Sequence, residues 1–260
     1  MDTLGDQPLP DGRRGGVSLQ FIGSGDAFGS GGRLQTCLLV DAPGVRFLID
    51  CGCSAMIGLW AQHIDPDSID AIALTDFDGD HCGSVAFVLF HAMAVSHRTR
   101  PLTIAGPVGT AEHMGRLMAV LFPGSEGQKA RFALDYQVVE PGVVVHSALL
   151  RIGAWPVVHS EQTRPMIVRV AVAGRRIVYT GDTAWTPALI EACAGAELLV
   201  TEWYYYDTTS RWHLDQTPLL TRRAALQARR LVLTHLSDAV LARAHDLSET
   251  VAHAGLIITV

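Results

Sequence analysis

Short apolar runs separated by turn-forming residues dominate the chain. "VSLQFIG", "TCLLVDA", "VRFLIDC" and "AIALT" are aliphatic or β-branched and bounded by Gly, Pro or Asp, so the pattern predicts strands there. "SVAFVLFHAMAVSH" and "GTAEHMGRLMAVLF" are longer, and their apolar residues recur at helical spacing, which predicts helices. A second series follows: strands at "LLRIGAWPVVH", "MIVRVAVAG", "RRIVYTGD" and "AELLVTEW", a helix near "PLLTRRAALQARR", and the strand "RLVLTH". Each half runs from strands to helices with no linker between them. Hairpin-length turns join several strands, so a two-sheet core with helices outside fits better than a doubly wound parallel sheet. The expected fold class is α+β, a layered αββα sandwich of two mixed sheets packed face to face. Residues 1–16 carry Pro, Gly and Asp without periodicity and are expected to be a flexible tail, with one domain over 17–260.

Composition narrows the function. A chain of 260 residues with 48% hydrophobic content can supply a substantial core. Its formal charge of −6, with no run of basic residues, argues against a general nucleic-acid binder, whose affinity rests on cations neutralising phosphates. The opening "MDTLGDQPLPDGRRGG" lacks the apolar stretch of a secretory signal, and runs such as "SVAFVLFHAMAV" are too short to span a bilayer. Five scattered cysteines imply no disulfide framework. These features predict a cytoplasmic protein with no large nucleic-acid partner and no membrane, and they allow a homodimer.

The chemistry concentrates in "LTDFDGDHCGS", where Asp76, Asp78 and Asp80 alternate and His81 follows. In an extended segment the three carboxylates share a face; in a loop entering a helix near Gly83 they can wrap a cation. An EF-hand does not fit, because Gly79 falls one place early and His81 is not a hard-oxygen ligand. Further candidate ligands sit at predicted strand ends: His159, Asp182, Glu202 and His235. Strand ends that converge on one sheet edge can assemble a site from distant sequence. "GSGDAFGSGG" is no phosphate loop, since Phe28 stands at the third glycine's place, and a tight turn is expected instead. Cys51 and Cys53 lack a second pair for a structural zinc, Cys82 is expected to be a small buried residue, and "EWYYYD" either lines a pocket or packs at an edge.

Taken in order, these motifs resemble the metallo-β-lactamase superfamily. Its T-H-x-H-x-D-H motif is matched by "TDFDGDH" at Thr75, Asp80 and His81, and "FIGSGDAFGSGGRLQTCLLVD", "FLIDCG", His159, "TGDT" and "LTHLS" follow suit. Glu202 in "LLVTEW" and His213 in "WHLD" make the chain most similar to the ribonuclease Z-like branch. The resemblance runs from about Val17 to the C-terminus. It implies the metallo-β-lactamase fold, with Asp76, Asp78 and His159 at one metal position, Asp80, His81 and His235 at the other, and Asp182 bridging. The departure is that Asp76 and Asp78 replace two motif histidines.

That replacement changes the expected metal chemistry. Carboxylate oxygen is harder than imidazole nitrogen, so zinc, implied by the resemblance, competes with iron or manganese, at one or two divalent ions. The extra carboxylates take the formal charge of a two-ion cluster from about +2 to about zero, which weakens it as a Lewis acid. The implied activity is metal-dependent hydrolysis of a small molecule, most plausibly a phosphodiester and next an ester or lactone, by attack of metal-bound hydroxide. Asp80 would orient the water, and His213, held by Glu202, would protonate the leaving group. The short segment "SEQTRPMIVRVAVAGRRIVYTG" replaces the long arm that the resembled tRNA-processing enzymes carry, which again predicts a small substrate. Two alternatives stand beside the hydrolase: a catalytically impaired binding protein of this fold, and a diiron redox protein.

Overall fold

Alternating apolar positions along the strands sort into three separate layers of core. The computed structural model describes residues 16–125, 128–146, 150–215 and 221–260. Residues 1–15 of the expected tail and 218–220 of the expected "PLLTRRAALQARR" helix lie outside the described residues. The first half runs β1 (Ser18–Gly23), β2 (Cys37–Ala42), β3 (Val45–Ile49), α1 (Ala55–Ala61), β4 (Ala71–Ala73), α2 (Gly79–Cys82), α3 (Val85–Ala94), β5 (Leu102–Gly106), α4 (Thr110–Leu121) and β6 (Leu134–Val138). The second runs β7 (Val144–His146), β8 (Leu150–Pro156), β9 (Met166–Val172), β10 (Arg175–Tyr179), α5 (Ala188–Cys193), β11 (Leu198–Glu202), β12 (Arg230–Thr234), α6 (Asp238–Leu241), β13 (Thr250–Val251) and β14 (Ile257–Thr259).

Among the described residues the strands form two seven-stranded sheets, ordered β14-β1-β2-β3-β4-β5-β6 and β13-β12-β11-β10-β9-β8-β7. Both are mixed. β3 to β6 and β10 to β13 pair in parallel, while β1–β2–β3 and β7–β8–β9–β10 pair antiparallel. The last strand returns to the first sheet, with Ile258 opposite Leu19 on β1. Phe21, Phe47, Val168, Val170, Tyr179 and Val200 fill the space between the sheets. The opposite face of the first sheet packs Leu39, Leu48 and Ile104 against Leu59 of α1, Val88 of α3 and Met114 of α4. The opposite face of the second sheet packs Val178, Leu199 and Leu233 against Leu189 of α5 and Val240 of α6. This is the αββα sandwich of the metallo-β-lactamase fold. Each fully buried Leu, Val or Phe in these layers contributes roughly 1.5–3 kcal/mol of hydrophobic stabilisation.

Two predicted elements differ from the structure. The pattern carries β8 through to His159, but the strand stops at Pro156, which has no N–H to continue the ladder. Within "PLLTRRAALQARR" Thr221 and Arg222 are α-helical as predicted, but the chain then tightens into a 3₁₀ turn at Arg223–Leu226, ended by Gln227 in the left-handed region. Among the described residues, no helix is long and apolar enough to cross a membrane.

Candidate metal centre

Parallel strands in a sheet end together, so residues just past β4, β10, β11 and β12 meet at one edge of the sandwich. β4 leads into Asp76 and the short helix α2, which carries Asp80 and His81. Asp182 lies three residues past β10, Glu202 closes β11, and His235 follows β12 directly. Close backbone approach fixes α2 in place: a Cβ on Gly52 would sit 2.2 Å from the Asp80 carbonyl oxygen, so the residue must be glycine. The flanking cysteines brace the same loop through their main chain, with Cys51 N donating to His81 O at 2.6 Å and Cys53 N to Gly79 O at 3.0 Å.

Four buried side chains converge there. Asp80, His81, Asp182 and His235 each offer a donor atom, and the four atoms lie within 4.8 Å of one another. His235 Nε2 is 3.1 Å from Asp80 Oδ2 and 3.4 Å from Asp182 Oδ1. His81 Nε2 is 3.3 Å from Asp80 Oδ2 and 3.4 Å from Asp182 Oδ1. Yet Asp182 Oδ1 and His81 Nε2 are both buried without a hydrogen-bond partner. Buried polar atoms are costly unless satisfied, so a converging set of unpaired lone pairs fits a cation.

Protonation geometry supports the same fit. His81 Nδ1–H donates to Asp50 Oδ2 at 2.6 Å, which leaves Nε2 with its lone pair facing Asp80 and Asp182. Asp50 is itself buried and held by the Thr75 N–H at 2.8 Å and the Thr75 hydroxyl at 2.7 Å. Burial alone would raise the Asp80 and Asp182 carboxyls, but the neighbouring His81 and His235 outweigh it and hold both below the usual range. Burial would lower His81, yet Asp76, Asp182, Asp80 and Asp50 push it well above its ordinary value. In the metal-free protein the two carboxylates are thus balanced by protons on His81 and His235, and a divalent ion among the same atoms would take the place of the Nε2 protons.

The other predicted residues arrange themselves differently. Asp76 is fully buried; its Oδ1 accepts from the Asp78 N–H at 2.9 Å, and its Oδ2 has no partner. Asp78 is partly exposed, with Oδ2 3.8 Å from His159 Nε2. His159 Nδ1–H donates to the Trp212 carbonyl at 2.9 Å, which frees Nε2 for the site. Burial lowers His159, but Asp78, Trp212 and Asp182 bring it up to about 9. Among the described residues, Asp76, Asp78 and His159 do not converge within the 4.8 Å that gathers the first four.

A second converging group joins Asp182 and His235 to Glu202 and His213. His213 Nδ1 lies 3.0 Å from Glu202 Oε2 and 3.8 Å from Asp182 Oδ2. Glu202 Oε1 accepts from the Thr183 N–H at 2.5 Å. Burial pushes Glu202 well above its ordinary value, with Asp182 adding to it, and burial pushes His213 down, so the pair favours its uncharged form. Tyr204 of the "EWYYYD" run stacks on the His213 ring at 4.7 Å, while Trp203 is buried in the core. Sequence reasoning missed Asp50 and the part played by Thr75; the signal was present, since Asp50 directly follows β3 and Thr75 lies two residues past β4.

The family described as Anti-Pycsar protein Apyc1 matches residues 17–255. The ribonuclease Z of Bradyrhizobium diazoefficiens is 25% identical, over 85% of this chain and 89% of its own. That of Mycobacterium marinum is 26% identical, over 88% and 90%. The crystal structure of human tRNase Z, short form, superposes with a TM-score of 0.76 at 21% identity, covering 93% of this chain and 98% of that one. The curated relatives act on RNA by name, which overturns the expectation of a small-molecule substrate with no large nucleic acid. Its physical premise was weak: a net charge of −6 is a sum over the chain and says nothing of where cations cluster.

Proposed function

The chain belongs to the Anti-Pycsar protein Apyc1 family, within the ribonuclease Z-like branch of the metallo-β-lactamase superfamily, and on that premise we propose that it is a metal-dependent phosphodiester hydrolase. The observation that carries this reading is the convergence of Asp80, His81, Asp182 and His235, with two of their lone pairs buried and unpaired. A divalent metal bound there would supply a Lewis acid for a phosphoryl oxygen and an acidified water.

The chain's own residues do the rest. Asp80, His81, Asp182 and His235 would hold the ion, and Asp76, Asp78 and His159 would have to draw closer together to hold a second in a more carboxylate-rich position. That donor set accommodates iron or manganese as well as zinc. Asp80 also accepts a hydrogen bond from the attacking water and fixes its line of approach. His213, steadied by Glu202 and stacked on Tyr204, gives a proton to the departing oxygen. Residues 17–260 act as one working unit. The catalytic geometry concerns only the reacting phosphodiester.

The test begins with protein purified without added metal and elemental mass spectrometry for zinc, iron and manganese. Turnover of bis(4-nitrophenyl) phosphate and of an RNA bearing a 3′ extension is then measured for the parent and for His81→Ala. One or two metals per chain, with activity abolished by the substitution, supports the reading. No metal after reloading, or turnover indifferent to His81, sinks it.

A further inference from the structure

Away from the metal centre, the outer face of the second sheet carries a concave cluster of arginines. A cavity of about 260 Å³ is lined by Val144, Arg151, Gly153, Arg169, Ala171 and Arg176. The register explains the shape. Arg151 on β8 lies opposite Ala171 on β9, which lies opposite Arg176 on β10. Gly153 lies opposite Arg169 in the next row. The two small residues form a floor, and the three long side chains rise around it.

Among the described residues, none of the three guanidinium groups lies in an ion pair, although the chain as a whole is acidic. The carboxylate nearest in sequence register, Glu197, turns instead onto the backbone N–H of Arg176 at 2.7 Å. His146, opposite Arg151 on β7, adds another proton donor to the same row. Arg169 stacks over Trp155 at 4.4 Å and donates to the Ala192 carbonyl at the end of α5 at 3.2 Å. Arg176 donates to the Ala194 carbonyl just beyond that helix at 3.5 Å. Burial lowers the Arg169 guanidinium, and repulsion from Arg176 and Arg151 adds to this.

We propose that Arg151, Arg169 and Arg176 form a binding site for a compact oligophosphate anion, that is, a di- or triphosphate group. Three like charges held at one concavity repel unless an anion sits among them. Guanidinium forks match phosphate oxygens in pairs, and Arg169 and Arg176 keep donors beyond the one each gives to a carbonyl. The helix-end carbonyls and Trp155 hold Arg169 and Arg176 before any ligand arrives, which lowers the ordering cost of binding. At about 30 Å³ per liquid water, the cavity has room for several linked phosphates. Its lining is confined to two adjacent rows across β7 to β10, a compact patch that suits a compact polyanion better than an extended nucleic-acid backbone. Arg176 is the second residue of β10 and Asp182 lies three residues past that strand's other end, so the site and the metal centre stand at opposite ends of the strand.

Calorimetric titration of the full chain with sodium tripolyphosphate at low ionic strength tests this, with Trp fluorescence reporting on Trp155. Arg151→Gln/Arg176→Gln is expected to weaken binding at least tenfold. Ala171→Glu, which sets a carboxylate on the floor, is expected to abolish it with an unchanged thermal midpoint. Inorganic phosphate is expected to bind at least tenfold more weakly than tripolyphosphate. Equal affinity for ATP assigns recognition to the phosphates alone, and a clearly tighter ATP identifies a nucleotide as the source. The proposal is overturned if tripolyphosphate does not bind, if both variants bind it like the parent, or if an oligonucleotide without terminal phosphate binds as tightly.

Discussion

Asp50 Oδ2 lies 2.6 Å from His81 Nδ1, deep in the protein, and Thr75 closes on the same carboxylate through its N–H and its hydroxyl. Asp50 takes a positive φ of 59° to reach there, a conformation unusual for a non-glycine residue. The contact sets the His81 tautomer and aims Nε2 at Asp80 and Asp182. Asp50→Asn keeps the shape but removes the charge that fixes the proton on Nδ1. Loss of such a partner typically costs 10–100-fold in metal affinity, on the order of that expected here. Chelator competition on parent and variant reads it directly; equal affinities would show that Asp50 is only structural.

The cage of buried acids predicts that metal stabilises the fold itself. A ligand at about 1,000 times its Kd adds roughly 4 kcal/mol, and each kcal/mol moves the midpoint by ~2–4 °C in a chain of this size. Dialysis against a chelator is therefore expected to lower Tm by on the order of 10 °C, with recovery on adding back metal. His235→Ala should show a low midpoint that added metal no longer raises. A parent whose melting ignores both chelator and metal would remove the cage as a metal site.

Asp76 predicts a pH dependence of opposite sign to that of Asp80. Burial raises the Asp76 carboxyl well above its ordinary value; His81 opposes this, and Asp182 and Asp50 reinforce it. A carboxyl raised in the fold makes the metal-free protein lose stability as pH climbs from the unfolded pKa, about 3.9, through the folded one. Asp76→Asn removes that loss and keeps an oxygen to accept the Asp78 N–H. The metal-free variant should melt a few degrees above the parent at pH 8 and level with it near pH 4. A gap that stays constant across this range would contradict the account.

Much of this was legible in the chain because periodicity and strand ends survive into three dimensions. β9, "MIVRVAV", buries alternate residues between the sheets, and β11, "LLVTE", is buried throughout, as a central parallel strand should be. Asp80, His81, Asp182 and His235 meet because strands that run in parallel end together. The edge strands β6, β7, β13 and β14 gave weaker signals, since few residues and exposed faces leave little alternation. Helix α1, interrupted by Gly58 and carrying exposed Ile57 and Trp60, resembles no helical stripe. The arginine cup was invisible for another reason. Arg151, Arg169 and Arg176 are far apart in sequence, and only the register of three strands brings them together.

His213 offers the sharpest division between binding and chemistry. Its Nδ1 faces Glu202 Oε2 at 3.0 Å, its ring stacks on Tyr204, and its other nitrogen is left for a ligand. A residue that protonates the leaving oxygen acts in the transition state, so His213→Asn should lower kcat by about 10²–10⁴-fold with KM little changed. Glu202→Gln, which acts through His213, should cost less, about tenfold. A substrate with a good leaving group such as 4-nitrophenolate needs little protonation, so the loss should shrink sharply for bis(4-nitrophenyl) phosphate relative to an RNA or alkyl ester. If His213 were instead chiefly a metal ligand, as its closeness to Asp182 and His235 permits, the variant would lose metal and fail equally on every leaving group. Steady-state kinetics on both substrates, with metal content measured on the same samples, separates these outcomes.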